Sequence, residues 1–254
     1  SAHARAHLAG GLSAARIVWA GRAMSLQGIA TAQPMQAPGS RGVVAVDVDE
    51  VLCRYCEAFV AWVTGRPAPA DAGQCFRMCY APELEAARAA FLDTEAFVEI
   101  DRVVGAFEGL CKLQALGFDL QAVTARPESV RGATERYLAK YFPGLVSRVH
   151  IAQAPFKGRV CRAIRARVLI DDQLANAYDA AQHGLQAIIF DAGGTYAWNH
   201  APALPPNVVR KYDWVQSVDW IVQVCTRTMA PSAPLQVTLP QQLQPPMQPL
   251  HQKQ

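Results

Sequence analysis

Short apolar runs recur along this chain, with room for about one helix between most of them. Residues 43–48, 119–123, 149–152, 167–170 and 186–190 each read as a strand, and residues 208–212 as one more. The strongest of these runs are near-continuously apolar rather than alternating, which marks strands covered on both faces. Helical patterns lie at 108–116, stopped by Gly117, and at 128–141, entered near Pro127 and left through Pro143-Gly144. Further helical patterns lie at 157–164, at 174–182, stopped near Gly184, and at 215–224. Strands separated by single helices imply right-handed crossovers and a parallel sheet. The expected fold class is α/β: a Rossmann-like parallel sheet with helices on both faces.

One stretch departs from this rhythm. Between residues 51 and 104 there is no strand signal, only helix-like pieces at 55–64 and 82–92, broken by Gly65-Arg66-Pro67 and Gly73. A segment this long is not a plain crossover loop. It predicts a small helical cap at about residues 53–104, inserted just after the first strand.

The flanks differ from the body. Residues 1–41 are rich in Ala, Arg, Ser and Gly and contain no acid. That composition fits a transit peptide or a disordered leader. The first reading places the protein in a chloroplast or mitochondrion, the second in the cytoplasm; both are intracellular. Residues 227–254 are dominated by Pro and Gln and read as a disordered tail. The folded core is therefore expected over 42–226. The net charge of +3 belongs to the flanks: without Arg5, Arg16, Arg22, Arg41, Arg227 and Lys253, 18 basic residues face 21 acidic ones. A body of that sign suits neither DNA nor RNA. No apolar run reaches the length of a membrane span. Neither nucleic acid nor membrane is expected as a partner, and the sequence does not give an oligomeric state. The seven irregularly spaced cysteines read as reduced thiols. Cys53/Cys56 and Cys75/Cys79 have tolerable zinc spacing, but no turn glycine or clustered histidine supports it.

The chemistry gathers where the strands end. Asp47 and Asp49 close the first run, Thr124 the second, and Asp171-Asp172 the run at 167–170; Lys157 begins a helix between the last two. In open α/β sheets ligands bind beyond the carboxyl ends of the strands. These side chains should therefore converge. If strand geometry persists, Asp47 and Asp49 point to one side. A carboxylate can attack phosphorus, and a second can protonate the leaving alkoxide and then activate water. Two acidic pairs repel unless a cation sits between them, and Mg2+ with oxygen ligands fits best. Asp172 has an alternative role as N-cap of the helix at 174, and Asn176 is placed to bond back to the site. Thr124 can hold a phosphate oxygen. Lys157 at a helix start is disfavoured unless an anion meets it.

These residues carry a resemblance. The order Asp47-Val48-Asp49-Glu50-Val51, Thr124, Lys157, Asp171-Asp172 resembles the haloacid dehalogenase (HAD) superfamily of phosphohydrolases across roughly 42–226. The segment Val-Thr-Ala-Arg-Pro at 123–127 and the inserted cap are similar to its deoxyribonucleotidase-like branch. The segment 190–198, Phe-Asp-Ala-Gly-Gly-Thr-Tyr-Ala-Trp, is similar to uncharacterised plant and algal relatives. The resemblance implies a magnesium-dependent phosphatase acting on a small phosphomonoester, a nucleotide among the candidates, through an aspartyl-phosphate. It implies Asp47 as nucleophile and metal ligand. Asp49 becomes the general acid/base, with metal contact through its carbonyl. Thr124 and Lys157 hold the phosphate, and Asp172 binds metal with Asp171 in support. Arg126 is a weaker candidate for substrate contact. Many nucleotidase-like relatives carry glycine where Glu50 stands. The alternative is a catalytically inactive phospho-ligand binder or a subunit of a larger assembly.

Overall fold

The computed structural model describes residues 40–153 and 155–227. The expected leader and tail lie outside the described residues, except for 40, 41 and 227. Six strands form one sheet: β1 (Gly42–Val46), β2 (Phe118–Thr124), β3 (Val146–Ile151), β4 (Ala166–Asp171), β5 (Gln186–Phe190) and β6 (Val208–Lys211). Their order is β3-β2-β1-β4-β5-β6 and every pairing is parallel. The chain runs outward from β1 in one direction through β2 and β3, then returns to the other side of β1 for β4, β5 and β6. The strand order therefore switches between β1 and β4. A crevice opens at such a point, beyond the carboxyl ends of the two strands.

Side chains alternate across the sheet with a period of two. Val44, Val46, Leu120, Ala122, Ile170 and Ile188 face one core. Val43, Ala45, Val123, Leu169, Ala187 and Ile189 face the other. Both faces are covered, as the apolar runs predict.

The helices are α1 (Tyr55–Thr64), α2 (Ala72–Cys79), α3 (Glu85–Phe91), α4 (Glu95–Val98), α5 (Ala106–Ala115), α6 (Arg131–Tyr141), α7 (Lys157–Ala163), α8 (Leu174–Gln182) and α9 (Trp214–Arg227). The first four make up the expected helical insertion. α1 falls where its pattern predicts. The pattern at 82–92 instead divides into a 3-10 turn, Pro82–Leu84, followed by α3. α2 has no separate signal in the sequence: Gly73 sits inside it, and its mean hydropathy is low although Cys75 and Cys79 are buried. The insertion has its own aromatic centre. Phe59, Phe91 and Phe97 are fully buried, with ring centroids 5.6 Å apart between Phe59 and Phe91 and 5.9 Å between Phe91 and Phe97.

Two local features aim the site. β1 stops at Val46, earlier than its apolar run: Asp47 N still donates to Ile170 O at 2.9 Å, but Val48 O then accepts from both Leu52 N and Cys53 N in a turn. The chain thus turns upward into the cap straight after the switch point. At the start of α7, Gly158 meets α8 so closely that an added Cβ would lie 2.7 Å from Asp179 O. Its N–H donates to the Asp179 carboxylate at 2.6 Å. Only glycine permits that approach, and it brings the neighbouring Lys157 to the sheet.

No helix among the described residues is long and apolar enough to cross a membrane.

Candidate active site

Lys157 lies beneath the ends of β1 and β4 and is completely buried. Its ammonium sits 2.7 Å from Asp47 Oδ2 and 2.7 Å from Asp171 Oδ2. A lysine at a helix start needs anions, and here it has two. The other oxygen of Asp47 accepts Val48 N at 2.7 Å. Asp171 Oδ1 accepts Gln173 N and Asn176 Nδ2, both at 2.9 Å. Asn176 thus bonds back to the site as its spacing suggests.

Asp172 is not a helix cap. The N-cap position of α8 is Gln173, and the Asp172 carboxylate faces the site instead. Its Oδ2 accepts Trp198 Nε1 at 2.8 Å and Gln173 Nε2 at 2.6 Å. Asp47, Asp171 and Asp172 each offer an oxygen within 4.8 Å of the others.

The electrostatics are those of a crowded anionic site out of water. Burial, then the neighbouring Asp171 and Asp49, push the Asp47 carboxyl up to about 7, against the opposing pull of Lys157. Burial, Asp171, Asp47 and Glu50 push Asp172 well above the ordinary carboxylate range. Lys157 is held above its usual range, because Asp171 and Asp47 outweigh the cost of its burial. Three carboxylates and one ammonium leave two negative charges, which a divalent cation would balance. The donor atoms are all oxygens, as magnesium prefers. Asn176 Oδ1 is buried beside them with no hydrogen-bond partner. A leftover acceptor suits the waters that magnesium retains. The residues present therefore fit the cation. No cysteine belongs to this group; all seven are free thiols.

Asp49 lies beyond the end of β1, and its carboxylate pairs with Arg126. Arg126 Nη2 lies 2.6 Å from Asp49 Oδ1, and Nε lies 3.2 and 3.1 Å from its two oxygens. The guanidinium is buried, rests 4.4 Å over the Phe97 ring and donates to Thr134 Oγ1 at 3.2 Å. Arg126 is thus a partner of Asp49. Thr124 is fully buried at the end of β2, where its Oγ1 accepts Arg126 N at 3.2 Å.

Glu50 has φ +59°, a conformation that glycine adopts freely and that costs other residues about 1 kcal/mol or more. Three bonds hold it there. Glu50 N donates to Cys53 O at 2.8 Å, Tyr196 OH donates to Glu50 O at 3.0 Å, and Glu50 Oε1 accepts Cys56 N at 2.7 Å. The last bond serves the first turn of α1, whose own N-cap, Arg54, makes no side-chain cap. A carboxylate at a helix N-terminus is favoured by the dipole. Burial nevertheless pushes Glu50 up to about 7.

Sequence reasoning missed Trp198 as a site residue. It belongs to a strap, residues 191–199, that follows β5. Its ring lies stacked against Phe76 of α2 (4.2 Å, 11°) and against Tyr196 (4.3 Å, 21°). The strap is tied down by Asp191, which accepts Tyr196 N at 2.8 Å and pairs with Arg210 at 3.1 Å. The strap's sequence is conspicuous, but no periodicity predicts an indole N–H on Asp172.

No family model and no curated protein matches the chain. Solved structures similar to it include haloacid dehalogenase-like hydrolases, a predicted phosphatase and dehalogenases. A haloacid dehalogenase-like hydrolase from Streptococcus pneumoniae, SP0104, gives a TM-score of 0.49 at 13% identity over 70% of this chain and 97% of its own. A HAD-superfamily hydrolase of subfamily IA from Geobacter sulfurreducens gives 0.49 at 19% identity, over 70% and 98%. A predicted phosphatase from Clostridium acetobutylicum gives 0.48 at 14%, over 72% and 98%.

Proposed function

We propose that this protein is a magnesium-dependent phosphomonoester hydrolase. The observation that carries the reading is the Lys157 ammonium held at 2.7 Å between Asp47 and Asp171, with Asp172 alongside, at the switch point of a parallel sheet. Asp47, Asp172 and, in support, Asp171 would hold the cation, together with the backbone carbonyl of Asp49. When bound, magnesium supplies charge neutralisation for an incoming phosphate.

The chain's own residues would do the rest. Lys157 and Val48 N orient the Asp47 carboxylate. An Asp47 oxygen forms a bond to phosphorus as the bond to the leaving alkoxide breaks, and Asp49 gives that alkoxide its proton. Asp49 then takes a proton from water, whose oxygen attacks phosphorus and returns Asp47 as a carboxylate with release of inorganic phosphate. Thr124 and Lys157 hold the phosphoryl oxygens. Arg126 fixes the approach of Asp49. The substrate class is a small phosphomonoester, with nucleotides among those to be tried.

One observation favours a second reading, a non-catalytic phospho-ligand binder: the three contacts from Arg126 occupy both oxygens of Asp49. Release of phosphate from an aryl phosphate, with magnesium and with chelator, separates the two. The hydrolase reading expects metal-dependent release in the wild type and none in Asp47→Asn, which keeps the shape but loses the nucleophile. Turnover by Asp47→Asn equal to wild type would remove Asp47 from its role. No release from a panel of phosphomonoesters, with a phosphate ion still bound, supports the binder.

A further inference from the structure

A cavity of about 1210 Å³ lies between the helical cap and the β5–β6 side of the core, and the proposed reaction uses none of its side chains. Its cap wall is formed by Arg54, just before α1, Glu57 of α1, then Ala68, Pro69 and Ala70, and Ala72 and Cys75 of α2. Its core wall is formed by the strap through Tyr196 and by Tyr212 and Asp213 after β6. Much of the lining is apolar, with Ala68, Pro69, Val103 and Phe190 among its members. Glu50 also lines it, while Asp47, Asp49 and Asp172 do not.

The charges around this cavity are unequal in their partners. Arg54 and Glu57 form an ion pair with each other. The Asp213 carboxylate accepts Gln216 N at 2.7 Å and Gln216 Nε2 at 2.8 Å, at the start of α9. His200 lies 3.4 Å from Asp191. Glu50 is different. It is only 7% exposed, its Oε1 meets Cys56 N, and among the described residues no cation pairs with it. A buried carboxylate without a counter-charge is costly. Tyr196 and Tyr212 add aromatic rings to the lining, and aromatic rings attract cations. Metal is a poor occupant, because Glu50 belongs to no group of three possible ligands among the described residues. An anion is poorer still: Glu50, Glu57 and Asp213 outnumber Arg54, whose charge Glu57 already meets.

We infer that this cavity is a binding site for an organic cation, a primary amine on a compact apolar body, whose ammonium meets the Glu50 carboxylate. An ammonium brings three donors and a full charge, so its bond to a carboxylate is of the strong, charge-assisted kind. The apolar body of the ligand rests against the alanine, proline and aromatic lining. The site does not depend on the hydrolase reading, since it is read by binding alone.

The test is calorimetric titration of the full chain at fixed ionic strength with phenethylamine, and with 2-phenylethanol as its uncharged counterpart. Wild type should bind the amine saturably and at least about tenfold more tightly than the alcohol, a difference of about 1.4 kcal/mol. Glu50→Gln keeps an oxygen for Cys56 N and should lose at least about tenfold in amine affinity. Ala70→Phe, which places a ring at the exposed cap wall of the cavity and leaves Glu50 in place, should weaken binding as well. Equal affinity for amine and alcohol, no binding by wild type, or unchanged binding by Glu50→Gln would each overturn the inference. Loss in Asp172→Asn with retention in Glu50→Gln would overturn it too, by placing the amine in the acidic centre. Should Glu50→Gln fail to fold, Ala70→Phe and the alcohol comparison decide the matter.

Discussion

Lys157 shows how far one residue's surroundings can depart from what its type suggests. Lysine is among the side chains least often buried, yet this one is enclosed and balances two carboxylates. Its charge cannot be removed cheaply. Lys157→Met would fill much the same space but leave Asp47 and Asp171 facing each other across a site with no counter-charge. Breaking a buried pair from one side costs about 3–5 kcal/mol. The midpoint of urea unfolding in chelator should fall accordingly, and added magnesium should recover part of the loss. An unchanged midpoint would mean that the two carboxylates accept protons at little cost and that the ion pair holds nothing together. Glu50 is a contrasting residue. The sequence marks it as an oddity beside the acidic pair, but not as a left-handed residue whose carboxylate serves the first turn of a helix six positions on. That role depends on how the chain turns after Val48, which side-chain type alone does not encode.

At the scale of elements, what could be read from the sequence follows from burial. β5 and α8 fall at their expected bounds because residues 187–190 form an unbroken buried run, Ala177 and Ala180 face the core, and Gly184 follows the helix end. β3 is longer than its apolar run, beginning at Val146, because it is an edge strand with Ser147 and Arg148 exposed. α2 and α4 carry no clear period in the sequence, because a small cap needs few apolar positions per helix. The site was legible in the same uneven way. Asp47, Thr124, Asp171 and Asp172 sit at or just beyond the ends of buried strands, where position can be read from the apolar run before them, whereas Lys157 begins α7. The strap cannot be read so, since its path depends on Asp191, Arg210 and the stack on Phe76. Trp198→Phe tests what the strap does for the site. Phenylalanine keeps a ring between Phe76 and Tyr196 but loses the N–H on Asp172. Partners that orient a metal ligand are worth about 10–100-fold in metal affinity. Magnesium binding, read by the melting temperature across a titration, should weaken by that order, while the melt in chelator stays close to wild type. If the melt in chelator collapses instead, the indole is a packing residue of the cap, and its bond to Asp172 is incidental.

For the whole molecule, the acidic centre makes stability depend on protons and on cations, either of which relieves the crowded carboxylates. Burial raises Asp47 from an ordinary 3.8, and Glu50 from 4.5, each to about 7, and raises Asp172 as well. The folded state therefore binds these protons more tightly than the unfolded chain does. Stability falls as pH rises wherever the folded state holds more protons, here from the ordinary carboxylate range up to about pH 7. In chelator the melting temperature should be higher near pH 5 than near pH 7.5. Asp47→Asn, which cannot ionise at that position, should flatten part of the slope. A divalent cation competes with protons for the same oxygens, so its stabilisation should grow as pH rises. Mass action gives about 2.7 kcal/mol at a hundredfold excess over the dissociation constant. With millimolar magnesium the decline between these pH values should shrink or reverse. Thermal melts of wild type and Asp47→Asn at the two pH values, each with chelator and with magnesium, contain the whole comparison. A melting temperature in chelator that climbs steadily through this window would mean that the three carboxylates are ionised and well satisfied without a cation, and the case for a metal centre would fall with it.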